Sequence, residues 1–288
     1  MSVNLPIAPR TAIVTGANSG VGYGVCQRLA EQGWRVVMLC RDEHRGTDAR
    51  DALRTATGND AIDLILADLT DYASVRAFAH QVLERYDSLD VLVNAAGLAS
   101  MRRVLTGHAH ELTLAAGFIG PALLTRLLLD RLTQGQPGRV VNVSGNGHRY
   151  GKLALDDLHF GERRYTAARA GTQAVLAKLL FTYELARRAA PQGVTANACC
   201  PGLVRSNLLR DASPVIRAVL WPYLRLKGQT PYEGAATPAH LATAPELAGV
   251  TGQYWRHLRA LRSSDTSYDA ALAGQLWDAA VRLADEAR

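Results

Sequence analysis

The T-G-A-N-S-G-V-G stretch at residues 15–22 has the residue types and spacing of an anion-binding turn. It follows an apolar run, Thr11 to Val14, that predicts a buried strand, and it leads into Val25 to Gln32, whose apolar spacing predicts a helix. Glycines let the backbone approach a pyrophosphate, and the free N–H groups of a first helical turn point at it. The pattern predicts a dinucleotide site, and a turn that binds nothing is the alternative. The residues predicted to contact the dinucleotide here are Gly16, Asn18, Ser19, Gly20, Val21 and Gly22.

The second apolar run, Arg35 to Cys40, ends at Arg41 and Asp42. In a dinucleotide fold the residue that closes this strand meets the adenosine ribose. An acidic residue there accepts from the 2′-hydroxyl, whereas a basic residue suits a 2′-phosphate. Arg41 therefore predicts NADP(H) as the cofactor in preference to NAD(H), although Asp42 beside it favours the opposite. A surface arginine at a strand end is the alternative.

Small and polar residues also follow the later predicted strands, which are Ile62 to Leu66, Val91 to Val93, Arg139 to Val143 and Val194 to Cys199. Helical patterns separate these strands, so a parallel sheet with ligands at its carboxyl edge is expected. The cofactor contacts predicted at these strand ends are Asp68, Leu69, Asn94, Ala95, Gly97, Pro201 and Gly202.

The predicted fold class is α/β, with a single Rossmann-like doubly wound parallel sheet flanked by helices. We expect residues 1–288 to form one domain, with an N-terminal tail (1–10), a substrate lid (203–230) and a C-terminal helix. The predicted helices span residues 43–57, 70–85, 111–132, 165–190, 231–244 and 268–287, and a last strand spans 252–255.

Charge and cysteine content narrow the classes of partner. The 288 residues carry a net charge of +6, but lysines and arginines are scattered, which argues against a nucleic-acid partner. The four cysteines lack metal-ligand spacing and suit a reducing compartment. We expect no metal, no signal peptide, no segment as long as a membrane span and a cytoplasmic location. The expected partner is a small-molecule substrate, and a homo-oligomer is plausible.

Taken together, these motifs resemble the short-chain dehydrogenase/reductase superfamily over roughly residues 10 to 285. The motifs are the glycine turn, Asp68-Leu69, Asn94-Ala95-Ala96-Gly97, Val141-Asn142-Val143-Ser144 and Pro201-Gly202. A second set is similar to the retinol-dehydrogenase-like branch. It consists of Leu39-Cys40-Arg41-Asp42, Leu180-Phe181-Thr182-Tyr183-Glu184-Leu185-Ala186, Glu233-Gly234-Ala235-Ala236-Thr237 and the helix around Trp277.

The resemblance implies an Asn-Ser-Tyr-Lys catalytic set, in which Tyr exchanges the proton and Lys lowers its pKa. Matched position by position, the tyrosine and lysine positions hold Gly171 and Val175, the serine position holds Gly145 and the asparagine position holds Gly117. A shifted pair, Tyr165 and Arg169, is the alternative register. Such a shift moves the pair roughly 9 Å along a helix, away from the nicotinamide.

Glycine inside a helix costs about 1 kcal/mol relative to alanine, so Gly117 and Gly171 are not explained by helix stability. We expect a pocket widened for a large ligand, with decay of a former enzyme as the alternative. The nearby catalytic candidates are Asn146, His148 and Tyr150, with Arg169 behind them; the direction of the Lys178 side chain is open.

Three functions fit this site. The first is non-oxidative cyclisation or isomerisation of a bulky specialised metabolite, where held geometry supplies the rate. The second is an NADPH-dependent oxidoreductase with a non-standard site, for example one that transfers hydride to an iminium. The third is a non-catalytic NADP-binding scaffold.

Overall fold

A computed structural model describes residues 10–134, 138–205, 222 and 225–286. Within these residues, eight strands form one sheet in the order β3-β2-β1-β4-β5-β6-β7-β8. The strands are β1 (Thr11–Thr15), β2 (Arg35–Cys40), β3 (Ile62–Leu66), β4 (Val91–Asn94), β5 (Arg139–Val143), β6 (Thr195–Cys200), β7 (Tyr254–Arg256) and β8 (Arg259–Leu261). The strand order reverses between β1 and β4, where a crevice opens at the carboxyl ends of the strands.

Helices cover both faces of the sheet. They are α1 (Gly20–Glu31), α2 (Glu43–Thr57), α3 (Tyr72–Arg85), α4 (Leu112–Leu132), α5 (Ala167–Ala189), α6 (Pro231–Gly234), α7 (Ala236–Thr243) and α8 (Ala270–Glu286). Because side chains alternate along a strand, Ile13 faces the core cluster of α3, α4, α5 and α8, whereas Ala12 and Val14 face the cluster of α1, α2 and α7. This arrangement confirms the predicted doubly wound α/β fold.

The sheet is parallel, as predicted, except at its last edge. Strand β7 is parallel to β6, but β8 pairs with β7 in the antiparallel direction. The two strands are joined by His257 and Leu258, whose φ angles are 50° and 61°. Two positive φ angles are typical of a tight hairpin turn that prefers Asn and Gly. Neither residue type stands here, so the sequence carried no hairpin signal.

Helix α4 contains a π-helical turn, Ala115–Ile119, between two α-helical segments. Glu111, predicted as its first residue, instead caps it, and its carboxylate accepts hydrogen bonds from the backbone N–H of Thr113 (2.9 Å) and Leu114 (2.8 Å). Gly120 is needed for packing, because a Cβ there would lie 2.0 Å from the Leu69 carbonyl oxygen. The other glycine of this helix, Gly117, lies inside the π-helical turn, a feature often found at functional sites.

The expectation that no segment reaches the length of a membrane span was wrong for helix α4, which has 21 residues. By length and composition alone, Leu112–Leu132 could cross a membrane, and 78% of its most apolar window is buried inside the protein. A helix that is apolar on all sides is also what the core of a large domain requires.

The predicted tail and lid lie mostly outside the described residues. The two described ends of the lid are held together, since the Arg205 N–H donates to the Gln229 carbonyl (2.9 Å) and the Gln229 N–H donates to the Leu203 carbonyl (2.8 Å). These two described ends of the predicted lid lie beside the carboxyl end of β6.

Candidate functional site

A cleft of about 720 Å³ lies along the carboxyl edge of the sheet. Its walls are formed by residues that follow β1 to β6, together with α4 and α5. This is the edge at which doubly wound sheets bind ligands, and the volume is that of a small-molecule site.

The glycine turn after β1 forms one end of the cleft. A Cβ at Gly22 would lie 2.4 Å from the Gly16 carbonyl oxygen, and one at Gly16 would lie 2.9 Å from the Ala96 Cα. Gly16 also has a φ of +65°, which disfavours other residues. The side chain of Ser19, the N-cap of α1, makes no capping hydrogen bond. The helix N-terminus therefore offers its backbone N–H groups to an anion in the cleft.

Two arginines and two aspartates line the cleft beyond β2 and β3. The Nη1 atom of Arg41 lies 3.6 Å from Oδ2 of Asp68, and Nη2 of Arg45 lies 2.9 Å from Oδ2 of Asp42. Hydrogen bonds from the Arg45 side chain and backbone lower the pKa of Asp42 to about 2. The acidic residue that argued against NADP(H) is thus already paired. Arg45 was missed in the sequence, although it lies only four residues after Arg41, in the first turn of α2.

All but one of the predicted cofactor residues line this cleft. They are Gly16, Asn18, Ser19, Gly20, Val21, Gly22, Arg41, Asp68, Leu69, Ala95, Gly97, Pro201 and Gly202.

Asn94 is the exception, and its prediction as a cofactor contact is corrected. The side chain is fully buried beneath the cleft, and its amide nitrogen donates to Thr125 Oγ1 and Asn142 Oδ1, both at 2.9 Å. Asn142 in turn donates to Thr182 Oγ1 at 2.9 Å. Asn94 therefore ties the ends of β4 and β5 to α4 and α5.

Three glycines and a valine form an open wall of the same cleft: Gly117, Gly145, Gly171 and Val175. A Cβ at Gly171 would meet no heavy atom within 4 Å, and one at Gly145 would meet only the Val175 Cγ2 atom at 4.0 Å. At Gly117 the nearest atom would be the Ala174 Cβ at 3.6 Å. Close packing, which explains Gly120, does not explain these glycines.

The three catalytic candidates are not brought together. Asn146 lines the cleft, and its Oδ1 accepts a hydrogen bond from the Tyr254 hydroxyl at 2.8 Å. Tyr150 lies outside the cleft-lining set, with its side chain directed to solvent (81% exposed). The expectation that Tyr150 contacts the ligand is corrected by this placement.

His148 is buried behind the cleft and does not line it. Its Nδ1 accepts from the Ser264 N–H at 3.2 Å, so Nε2 carries the proton, and that buried atom has no hydrogen-bond partner among the described residues. Burial lowers the pKa of His148 to about 4, which keeps the ring neutral at pH 7. This position corrects the expectation that His148 contacts the ligand. The cause is the tight 3₁₀ turn Asn146–Arg149, which directs its side chains to different sides.

The alternative register does not lead to the cleft either. The Tyr165 hydroxyl donates to the Ser100 carbonyl at 2.8 Å, and Nη1 of Arg169 donates to the Arg164 carbonyl at 3.0 Å. Neither side chain is among the cleft-lining residues.

Lys178 is the buried cation of the cleft. Its side chain extends from α5 to the ends of β4 and β5, where Nζ donates to the carbonyl oxygens of Val143 (3.0 Å) and Ala96 (3.3 Å). Burial lowers its pKa to about 8, so the amine is mostly protonated at pH 7. The spacing three residues after Val175 puts both side chains on one helix face, which was the available sequence clue.

Arg256 is a second cleft residue that the sequence did not reveal. It is the last residue of β7 and pairs with Cys200, and both line the cleft. The buried Nε atom of Arg256 has no hydrogen-bond partner among the described residues. Within those residues, no group of three or more His, Cys, Asp or Glu side chains is arranged to hold a metal ion.

Comparison with known proteins agrees with this geometry. The short chain dehydrogenase family model matches residues 10–215. Retinol dehydrogenase 12 from Mus musculus is 35% identical over 282 residues, which cover 98% of this chain and 88% of that protein.

Solved structures give the same fold. An uncharacterized protein from Mycobacterium paratuberculosis superposes with a TM-score of 0.77 at 30% identity, covering 98% of this chain and 96% of that one. The 3-ketoacyl-(acyl-carrier-protein) reductase of Brucella melitensis, complexed with NADH, shares the fold at 24% identity, with a TM-score of 0.65 and coverage of 85% and 95%. The chain therefore belongs to the short-chain dehydrogenase family, with retinol dehydrogenases among its relatives.

Proposed function

We propose that this protein is an NADP(H)-dependent oxidoreductase that acts on a bulky carbonyl or alcohol through a non-standard site. The observation that carries the proposal is the buried Lys178 side chain in the cleft, whose Nζ donates to the Val143 carbonyl, beside the open space at Gly171 and Val175. The names of the relatives, which are dehydrogenases, support redox chemistry over cyclisation.

The cleft fits a dinucleotide phosphate. The glycine turn and the first turn of α1 would hold the pyrophosphate, because a Cβ at Gly16 or Gly22 would fill the space that the backbone needs for this approach. Arg41 and Arg45 would hold the 2′-phosphate, since both guanidinium groups lie where β2 ends. NADPH, when bound, supplies the hydride.

We infer that this protein lacks the tyrosine and lysine with which the family transfers the proton. Matching the family motif assigns its tyrosine and lysine positions to Gly171 and Val175, and the open space around Gly171 supports that match. Neither side chain can transfer a proton. General acid catalysis contributes roughly 10²–10⁴-fold, so compact ketones, which gain little from binding, should turn over very slowly.

Lys178 is the residue that acts in place of this pair. An ammonium has three N–H donors, and two are used by the Val143 and Ala96 carbonyls, which leaves one for a ligand. Its positive charge would stabilise the negative charge that develops on a carbonyl oxygen during reduction, and its free N–H would give the resulting alkoxide its proton, which the amine would regain from water. The same charge repels a cationic acceptor, so an iminium substrate is disfavoured.

Non-oxidative cyclisation or isomerisation of a bulky metabolite remains the second candidate. It is favoured by the open wall at Gly117, Gly145 and Gly171, which provides space without a proton-transferring side chain. Holding a flexible substrate in a reactive shape is sufficient for such a reaction.

The test follows NADPH fluorescence and absorbance with a panel of bulky carbonyl compounds, both neutral and carboxylate-bearing, and includes all-trans-retinal and cyclohexanone. We expect NADPH binding, oxidation with at least one bulky member and very little with cyclohexanone. Wild-type turnover should decline above about pH 8, where Lys178 loses its proton, and Lys178→Met should remove turnover but keep NADPH binding within a few-fold. Lys152→Met removes an exposed lysine outside the cleft and serves as the control.

Mass spectrometry of the products separates the candidates. A product of unchanged mass without NADPH oxidation would replace our proposal with cyclisation or isomerisation. NADPH binding without any product would favour the scaffold, and failure to bind NADPH would remove both the oxidoreductase and the NADP-binding scaffold.

A further inference from the structure

We propose that Arg256, with Lys178, makes the substrate end of the cleft a binding site for a carboxylate. The substrate is then a bulky oxo- or hydroxy-acid. This inference rests on the proposed function only in placing the substrate beside the cofactor in this cleft.

The sheet register directs Arg256 to the side of the cleft that is covered by α5. Side chains two residues apart on a strand share a face, so Arg256 lies on the face of Tyr254. Tyr254 packs against Leu179 and Tyr183 of α5, and its hydroxyl binds Asn146 at the cleft. Arg256 is two residue pairs further toward the carboxyl edge, opposite Cys200. The guanidinium therefore belongs to the substrate side and is remote from the ribose end at β2 and β3.

The charges along the cleft are strongly divided. Its two lining carboxylates, Asp42 and Asp68, are at the β2 and β3 end, and each is paired with an arginine. At the β5 to β7 end the charged lining residues are Lys178 and Arg256, and no carboxylate lines this end within the described part of the chain. An anionic group is the electrostatic complement of this end.

The Nε atom of Arg256 supplies a second, independent observation. It is buried and has no hydrogen-bond partner among the described residues. Such unpaired buried donors are rare in folded proteins. A guanidinium fork matches two carboxylate oxygens, so a bound carboxylate would give this donor its partner.

The shape of the cleft sets the rest of the ligand. Because Gly145 and Gly171 leave the opposite wall open, a ring system fits beside the carboxylate site. The expected substrate differs in this respect from a neutral retinoid, the class that the names of the relatives suggest.

The test uses a matched pair of probes, naphthalene-2-carboxylate and naphthalene-2-carboxamide, titrated by calorimetry into the protein saturated with NADP⁺. We expect the carboxylate to bind at least roughly tenfold tighter than the amide, as one charge-assisted bidentate contact provides. In Arg256→Met the preference should fall below twofold, and in Arg256→Lys part of it should remain. Arg259→Met removes the same charge from the same hairpin, at an exposed position outside the cleft, and should keep the preference.

Two results would overturn the inference: a wild-type protein with no preference for the carboxylate, or an Arg256→Met variant that retains it. Arg256→Gln provides a second variant if the methionine variant does not fold. NADP⁺ affinity is measured in the same samples. If the protein binds NADP⁺ but does not prefer the carboxylate, only the carboxylate site is overturned and the proposed function stands. If the protein does not bind NADP⁺, the proposed function is overturned, and the two probes are then compared on the cofactor-free chain.

Discussion

Gly171 offers a direct test of whether the cleft wall is open space, through the substitution Gly171→Ala. Gly171 is the fifth residue of α5, and Gly274 is the fifth residue of α8. At both positions an added Cβ would meet no heavy atom within 4 Å. Gly274 does not line the cleft, so Gly274→Ala is a matched control for helix propensity.

The expected stabilisation follows from helix propensity alone. Glycine in a helix interior costs roughly 0.5–1 kcal/mol relative to alanine, and no new contact offsets that gain at either site. Both variants should therefore raise the free energy of unfolding by roughly 0.5–1 kcal/mol. For a domain of this size the melting temperature should rise by roughly 1–3 °C. Gly24→Ala should instead destabilise, because its Cβ would lie 2.0 Å from the Pro231 carbonyl oxygen.

The assay is urea unfolding of the three variants and the wild type, followed by circular dichroism, with ligand affinity measured on the same samples. Only Gly171→Ala should change the affinity for naphthalene-2-carboxylate. The larger change, Gly171→Tyr with Val175→Lys, should leave the protein no less stable, because it fills open space. It should, however, lower the affinity for this bulky ligand at least roughly tenfold.

A Gly171→Ala variant less stable than the wild type would show that the wall is closed and that its glycine is a packing requirement. A double variant that binds the bulky ligand with full affinity would show that this space is not the substrate site.

Two further predictions concern the cofactor and pH. Arg41→Ala should weaken NADPH binding roughly tenfold to a hundredfold and NADH binding less than twofold, because only the 2′-phosphate would contact the guanidinium; equal losses in fluorescence titrations would count against this assignment. The pKa of His148 is about 4 in the folded protein, below its ordinary value of 6.5, so between these values the unfolded chain binds more protons and stability falls as the pH drops. His148→Gln should reduce the stability lost between pH 7 and pH 5 by roughly 1–2 kcal/mol in urea unfolding, and an unchanged pH dependence would show that the imidazole is not held neutral by burial.

Local patterns were sufficient for most of the fold and for the cofactor end of the cleft. The glycine turn, the apolar strands and the residues that close them are contiguous in sequence, and the carboxyl ends of parallel strands meet at one edge. Knowing that Arg41, Asp68 and Pro201 each follow a strand is therefore enough to place them together. The open wall at Gly171 was also predictable, because the family resemblance covers the long helix that contains it.

The substrate end depended on tertiary structure. The neighbours of Lys178 are the ends of β4 and β5, at Ala96 and Val143, and only the packing of α5 on the sheet determines that Nζ reaches them. Asn94 and His148 have residue types suited to ligand contact, yet each is turned away by the exact direction of a strand end or a 3₁₀ turn.

Arg256 is the clearest case of a cleft residue that the sequence could not reveal. Its place in the cleft depends on the pairing of β7 with β6, and a shift of one residue would move its side chain to the other face of the sheet. The sequence by itself determined the strand-turn-helix order, since hydrophobic periodicity and glycine positions act over a few residues. Which polar side chains meet across the cleft was decided only by strand register and helix rotation, because these are set by contacts between segments far apart in the chain.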